Sequence, residues 1–267
     1  MKRALLHSGG NARGAVAVPV LAELNPHDYD YAVGVSVGAI NLPEWSAQHV
    51  NRLRQEYESV DGLGYYLQKN WPWNWHKGFT NLNPLRYRMD RFGTKPEDQI
   101  CPVYFGVYDY QGDVYRTLTS YVRSEWLDMR CASASIPVVM EGKQLASYQN
   151  RFHACFDGGM RHVIPDLPDW MEYDAIDVIL CSPLERSNYK DASELNTIWE
   201  IASRTIDIWI DTTVVADIAR LRMYAKAGKK VRVFAPKWAG PSFDAKNETM
   251  LRRLEEGEKM KLMPVVF

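Results

Sequence analysis

Three short stretches of the chain carry residues that chemistry could use. In 31–41, YAVGVSVGAIN, a short apolar strand runs into Ser36, which stands between Gly34 and Gly38, and a helical pattern follows. A strand-to-helix turn that sharp tolerates little bulk beside its central residue. The two glycines therefore predict a serine hydroxyl held out at the carboxyl end of a sheet, as a nucleophile must be. The same string also arises where small residues merely close a strand-helix joint. In 8–14, SGGNARG follows the apolar residues 4–6 and opens a helical pattern that reaches Leu24. Such a loop offers unpaired backbone N–H groups at the positive end of a helix dipole, a place for an anion or a developing oxyanion. Far downstream, FDGG at 156–159 sets Asp157 on a turn with Gly158 and Gly159.

The order of glycine loop, GVSVG and DGG resembles the patatin-like phospholipase family, whose members are serine lipid acyl hydrolases. The segment CASASIP at 131–137 resembles the small-residue stretch the family carries before its D-G-G. PSFDAKNETMLRRLEEGEK at 241–259 resembles the C-terminal helix of bacterial members, so the likeness spans nearly the whole chain. The resemblance implies an α/β fold of three layers, with a mostly parallel central sheet and helices on both faces. It implies Ser36 as nucleophile, Asp157 as its only partner and general base, and the backbone of Gly9, Gly10 and Asn11 as oxyanion hole, with no cofactor. The activity it implies is phospholipase A-type cleavage of fatty acyl esters through an acyl-enzyme. The chain departs from the family pattern in four places. Asn11 replaces the third glycine of the loop, and asparagine tolerates a left-handed backbone better than most residues. Pro19 should kink the first helix. Pro43 either bends the helix after Ser36 or restarts it with proline in the first turn. Val163 stands where the family often has asparagine, while Pro165 keeps its place.

The residues themselves also bear on the choice of base. A serine hydroxyl near neutral pH needs a base within hydrogen-bond reach and a prepared place for the oxyanion. In the usual α/β-hydrolase order several strands precede the serine, and an acid and then a histidine follow it. Here a single strand precedes the Ser36 strand, and no histidine follows His162. A Ser36–Asp157 dyad is therefore favoured over a triad built on His49, His76, His153 or His162. Asp157 alone must be kept poised as a base by partial burial. Arg13 in the glycine loop reads as a pin for that loop through hydrogen bonds to carbonyls, with phosphate binding as the alternative. No clustered metal ligands occur, and SGGNARG lacks both the P-loop lysine and the G-x-G-x-x-G spacing of nucleotide sites.

Composition narrows the field further. The 267 residues read as one domain, 1–267, without repeat or linker. Basic and acidic residues number 32 and 33, so no global field argues for nucleic acid. The opening residues are too short for a signal-peptide core, and no stretch approaches the ~20 apolar residues that span a bilayer. A soluble, cytoplasmic protein is expected, with peripheral membrane contact as an option. Cys101, Cys131, Cys155 and Cys181 lie far apart without C-x-x-C spacing and read as buried free thiols.

The elements that must position the three stretches follow from periodicity. Helices are expected over 12–24, 44–60 and 249–259, and one long helix or two over 194–227. Strands are expected at 173–181 and 230–234, with a hairpin from 101–110 and 114–120. Strand, helix, strand, helix at the start favours a parallel sheet with right-handed crossovers. Residues 62–98 stand apart. Trp71, Trp73 and Trp75 with Lys69, His76, Lys77, Arg86, Arg88 and Arg91 combine aromatics and cations, as at a membrane interface. Packing of these tryptophans onto the body of the protein is the other reading. In the first reading the segment is a lid or acyl-binding wall. Three functions remain open: lipid acyl hydrolysis at a membrane, hydrolysis of soluble esters or thioesters, and a catalytically silent binding protein.

Overall fold

The computed structural model describes residues 1–71, 73, 79–137, 139–145, 152–185 and 197–267. Trp75, His76, Lys77 and residues 194–196 lie outside the described residues, as do the side chains of His153 and Trp199. The strands are β1 (Arg3–His7), β2 (Tyr31–Val35), β3 (Gln68–Lys69), β4 (Thr80–Asn81), β5 (Val103–Asp109), β6 (Val114–Leu118), β7 (Lys143–Leu145), β8 (Phe152–Asp157), β9 (Ala175–Ile179), β10 (Lys230–Phe234) and β11 (Val265–Val266). The helices are α1 (Val18–Glu23), α2 (Val37–Ser46), α3 (Val50–Glu58), α4 (Asn83–Phe92), α5 (Arg123–Ser133), α6 (Ile198–Lys226) and α7 (Asn247–Met260).

β1 alternates its burial between two cores. Leu5 faces one cluster with Val16, Leu42 and Leu254, while Ala4 and Leu6 face another with Ile210, Ile218 and Leu221. Successive strand side chains point to opposite faces, so helices must cover both. α1, α2, α3, α5 and α7 supply the first face and α6 the second, giving a three-layer α/β architecture. The strands β10, β9, β1, β2 and β5 run parallel in that order, and β11, β6, β7 and β8 add antiparallel pairs. A third apolar cluster packs Leu82, Leu85 and Met89 against Leu127, Met140 and Phe243.

The centre of the sheet contains a fork. β5 pairs along 105–109 with β6, so the strands that pair with it elsewhere on those residues must share its other edge. β2 occupies that edge from Val103 to Gly106 and stops with Val35 opposite Gly106. β8 takes over at the next residue, with Asp157 opposite Val107. Two strands running toward each other thus end on consecutive residues of one partner.

Two expectations are corrected. Pro19 does not kink a continuous helix: residues Asn11–Ala17 form a 3-10 helix, and α1 begins at Val18 with Pro19 in its first turn, where the missing N–H costs nothing. The expected helix over 44–60 is two, α2 and α3, broken at Gln48, whose φ is 60°. Pro43 sits inside α2, which continues through it to Ser46. Arg130, fully buried, donates to the Ile40 carbonyl one turn earlier and to Glu44, binding α2 at this weak point to α5. The hairpin β5–β6, the strands β9 and β10 and the helix α7 stand where the pattern places them, and α6 is a single helix. The four cysteines are buried free thiols.

Two arginines clamp the loop that backs the glycine loop. Arg253 donates to the carbonyls of Ala239, Pro241 and Asp244 at 2.8, 2.6 and 2.6 Å. Arg13 donates to the Gly240 carbonyl at 2.7 Å and pairs with Asp207 at 2.8 Å. Both side chains are buried, so removing one strands several carbonyls without donors. Arg253→Ala is expected to lower stability by about 2–4 kcal/mol and the melting temperature by roughly 5–10 °C, read by calorimetry.

Candidate active site

Ser36 occupies the turn between β2 and α2 with φ 55° and ψ −120°, a region that residues with a Cβ enter only under constraint. The constraint is the closeness of its neighbours. A Cβ on Gly34 would lie 2.3 Å from the Gly38 carbonyl carbon, and one on Gly38 would lie 2.3 Å from the His7 carbonyl oxygen. Only glycine at both positions lets α2 start this close to the ends of β1 and β2. Ser36 is the N-cap of α2, so the positive end of that helix dipole faces the serine.

The fork in the sheet brings Asp157 beside Ser36, whose hydroxyl favours the charged form of the carboxyl. Asp157 Oδ1 also accepts from the Gly159 amide at 2.7 Å. Both residues are about one-twentieth exposed, 4% and 5%. Burial pushes the Asp157 carboxyl up to about 7, although Ser36 and the Gly159 amide pull the other way. At Gly158 a Cβ would lie 2.5 Å from the Gly106 oxygen, so the turn after the aspartate must be bare to sit against β5.

The small-residue stretch does more than permit close approach. Ser133 Oγ accepts from the Ser36 amide at 3.0 Å and donates to the Gly106 carbonyl at 2.6 Å. The Ser135 carbonyl accepts from the Asp157 amide at 2.8 Å. One segment therefore holds the backbone of both Ser36 and Asp157. A second support lies beneath the glycine loop: Asn41 bridges His7 Nε2 at 3.2 Å and the Gly14 carbonyl at 3.1 Å, and Tyr57 donates to Asn41 at 2.9 Å. His7 is fully buried and held neutral, its pKa lowered to about 4 by that burial. His7, Asn41 and Tyr57 have no local signature in the sequence, since their partners lie on separate elements; the small residues at 131–137 are the signal for Ser133 and Ser135.

The glycine loop lies directly over the serine. A Cβ on Gly9 would lie 3.3 Å from Ser36 Cβ, and one on Gly10 would lie 2.6 Å from Cys181 Cβ. Asn11 adopts φ 51°, the left-handed backbone that asparagine tolerates. The Gly9 amide donates to the Val163 carbonyl at 2.9 Å, whereas the amides of Gly10 and Asn11 have no acceptor among the described residues. Arg13 lies behind the loop, bound as described above. Of the other histidines, His162 pairs with Asp217 at 3.1 Å and packs on Tyr115, and His49 bonds Thr94 at 3.0 Å.

Ser36 and Asn11 line the walls of two cavities. A small one, of about 280 Å³ with its mouth included, is also lined by Gly9, Gly10, Asp157, Gly159 and Trp209. A larger one, of about 760 Å³ with its mouth included, runs between α2, α3 and α4, lined by Ile40, Leu53, Leu67, Leu82, Leu85 and Phe92. Its polar rim includes Arg88, which pairs with Glu56 at 2.8 Å. An apolar chain fits this space better than a charged one.

No family model and no curated protein matches the sequence. Among solved structures the chain is similar to VipD from Legionella pneumophila, at 10% identity and a TM-score of 0.48, with 100% of this chain aligned to 68% of that one.

The raised Asp157 carboxyl has a consequence for stability. Between about pH 4 and pH 7 the folded protein holds a proton that the unfolded chain has released, so stability falls as pH rises across that window. Asp157→Asn escapes this loss. The variant is expected to be more stable than the wild type above pH 7 by on the order of 2–4 kcal/mol, and to match it near pH 4, in denaturant titrations at both pH values.

Proposed function

We propose that the protein is a serine acyl hydrolase of patatin-like type that cleaves fatty acyl esters through a Ser36–Asp157 dyad. The observation that carries this reading is a strained, buried serine beside a carboxyl poised near neutrality, at the end of an apolar cavity.

Ser36 Oγ attacks the ester carbonyl carbon while Asp157 takes its proton, and the carbonyl π electrons move onto the oxygen. The amides of Gly10 and Asn11 stabilise that oxyanion, with Gly9 kept bare so that the carbonyl can approach; the α2 dipole adds to the same field. The oxyanion collapses and the C–O bond to the alcohol breaks, with the alcohol oxygen taking the proton from Asp157. A water then attacks the acyl-Ser36 ester with Asp157 again as base, and the acid departs as Ser36 regains its proton. The acyl chain occupies the larger cavity, and the leaving alcohol sits toward the smaller one. No helix among the described residues is long and apolar enough to cross a membrane.

A free fatty acid assay on a long-chain ester tests the reading. Ser36→Ala and Asp157→Asn, both folded, are expected to lose at least about a thousandfold in kcat, the scale on which dyad members act. Because Asp157 must be ionised to serve as base, kcat/KM is expected to rise with pH and level off above about 7. A rate indifferent to Asp157, or one that falls as pH rises through 7, would sink the dyad.

A further inference from the structure

We infer that residues 62–98 dock the protein onto an anionic lipid surface through Trp71 and Trp73, so that lipid passes from the membrane into the cavity beside Ser36. Trp71 and Trp73 leave the end of β3 stacked on each other, with ring centroids 5.1 Å apart and planes 3° from parallel. They are 67% and 69% exposed. Two adjacent indoles held in water are costly unless something covers them, and an indole suits the boundary between headgroups and acyl chains.

Charge identifies the occupant. Residues 62–98 carry six Lys or Arg against three Asp or Glu, while the rest of the chain is net acidic by four. Lys69 is exposed two residues before Trp71. A net basic, aromatic segment in an otherwise acidic chain matches an anionic membrane.

The tryptophan pair is also close in sequence to the cavity wall. Leu67 and Leu82, which flank the β3–β4 pair, both line the cavity that reaches Ser36. Trp71 is four residues beyond Leu67, at most ~14 Å of extended chain. Thr80 anchors the base of the pair through its amide to the Val139 carbonyl at 2.8 Å, and the neighbouring Met140 lines the cavity too. The inference takes its purpose from the acyl hydrolase reading, but its test does not depend on turnover.

The test is flotation of the Ser36→Ala protein with vesicles of phosphatidylcholine alone and of equal parts phosphatidylcholine and phosphatidylglycerol. The expected result is binding to the mixed vesicles about tenfold or more above phosphatidylcholine alone, weakened by high salt. Adding Trp71→Ala and Trp73→Ala should cut that binding about tenfold or more while leaving the melting temperature in place. Equal binding with and without the two tryptophans, or equal binding to both vesicles, would overturn the inference. Tryptophan-dependent binding by a protein inert on every ester would leave docking standing and remove the hydrolase reading; ester hydrolysis without vesicle binding would do the reverse.

Discussion

The site depends on how two strands meet on β5. β2 approaches Gly106 from one direction and β8 approaches Val107 from the other, and neither runs past the meeting point. The chain leaving β2 must turn sharply, which places Ser36 at the turn, and β8 delivers Asp157 as its last residue. Gly106 is the point of closest crowding: a Cβ there would lie 2.1 Å from the Tyr115 hydroxyl and 2.5 Å from a Val35 methyl. Its carbonyl accepts from Ser133, whose hydroxyl in turn receives the Ser36 amide. A single glycine carbonyl thus links the central strand, the serine turn and α5.

Burial gives the aspartate its chemistry and also its cost. A solvated carboxylate is a weak base, and one buried without partners would stay protonated. Asp157 lies between these limits because burial raises its pKa, while the Ser36 hydroxyl and the Gly159 amide favour its charged form. The surrounding supports are neutral or internally compensated. His7 is uncharged, and Arg13 spends its charge on Asp207 and on carbonyls behind the loop. The field at the serine therefore comes mainly from backbone dipoles that need no reorganisation.

Much of this was legible in the sequence where local chemistry decides the structure. Gly34 and Gly38 announce the serine turn because nothing with a Cβ fits, and Asn11 announces a left-handed position. The hairpin at Gly112, the buried strand β9 and the helix α7 follow from alternation and helical spacing. Legibility ended where the deciding contact is distant. The amphipathic spacing within 44–60 belongs to α3, while α2 is buried on nearly every side, and nothing local marks the left-handed residue Gln48 that separates them. Pro19 looks like a helix breaker, yet the preceding residues adopt a 3-10 helix packed against α7, where a Cβ on Gly257 would lie 2.3 Å from the Val16 carbonyl. That proximity spans most of the chain and has no signature within either segment. The pairing of Ser133 with Ser36 is hidden for the same reason.

The central claim is that Asp157 activates Ser36. It is tested most directly by labelling the protein with a fluorophosphonate and mapping the adduct by mass spectrometry across a pH series, for the wild type and for Asp157→Asn. The account predicts one adduct, on Ser36, forming faster as pH rises toward about 7 and level above it, and nearly absent in the variant. An adduct on another residue, or a Ser36 labelling rate unchanged by loss of the Asp157 carboxylate, would contradict it.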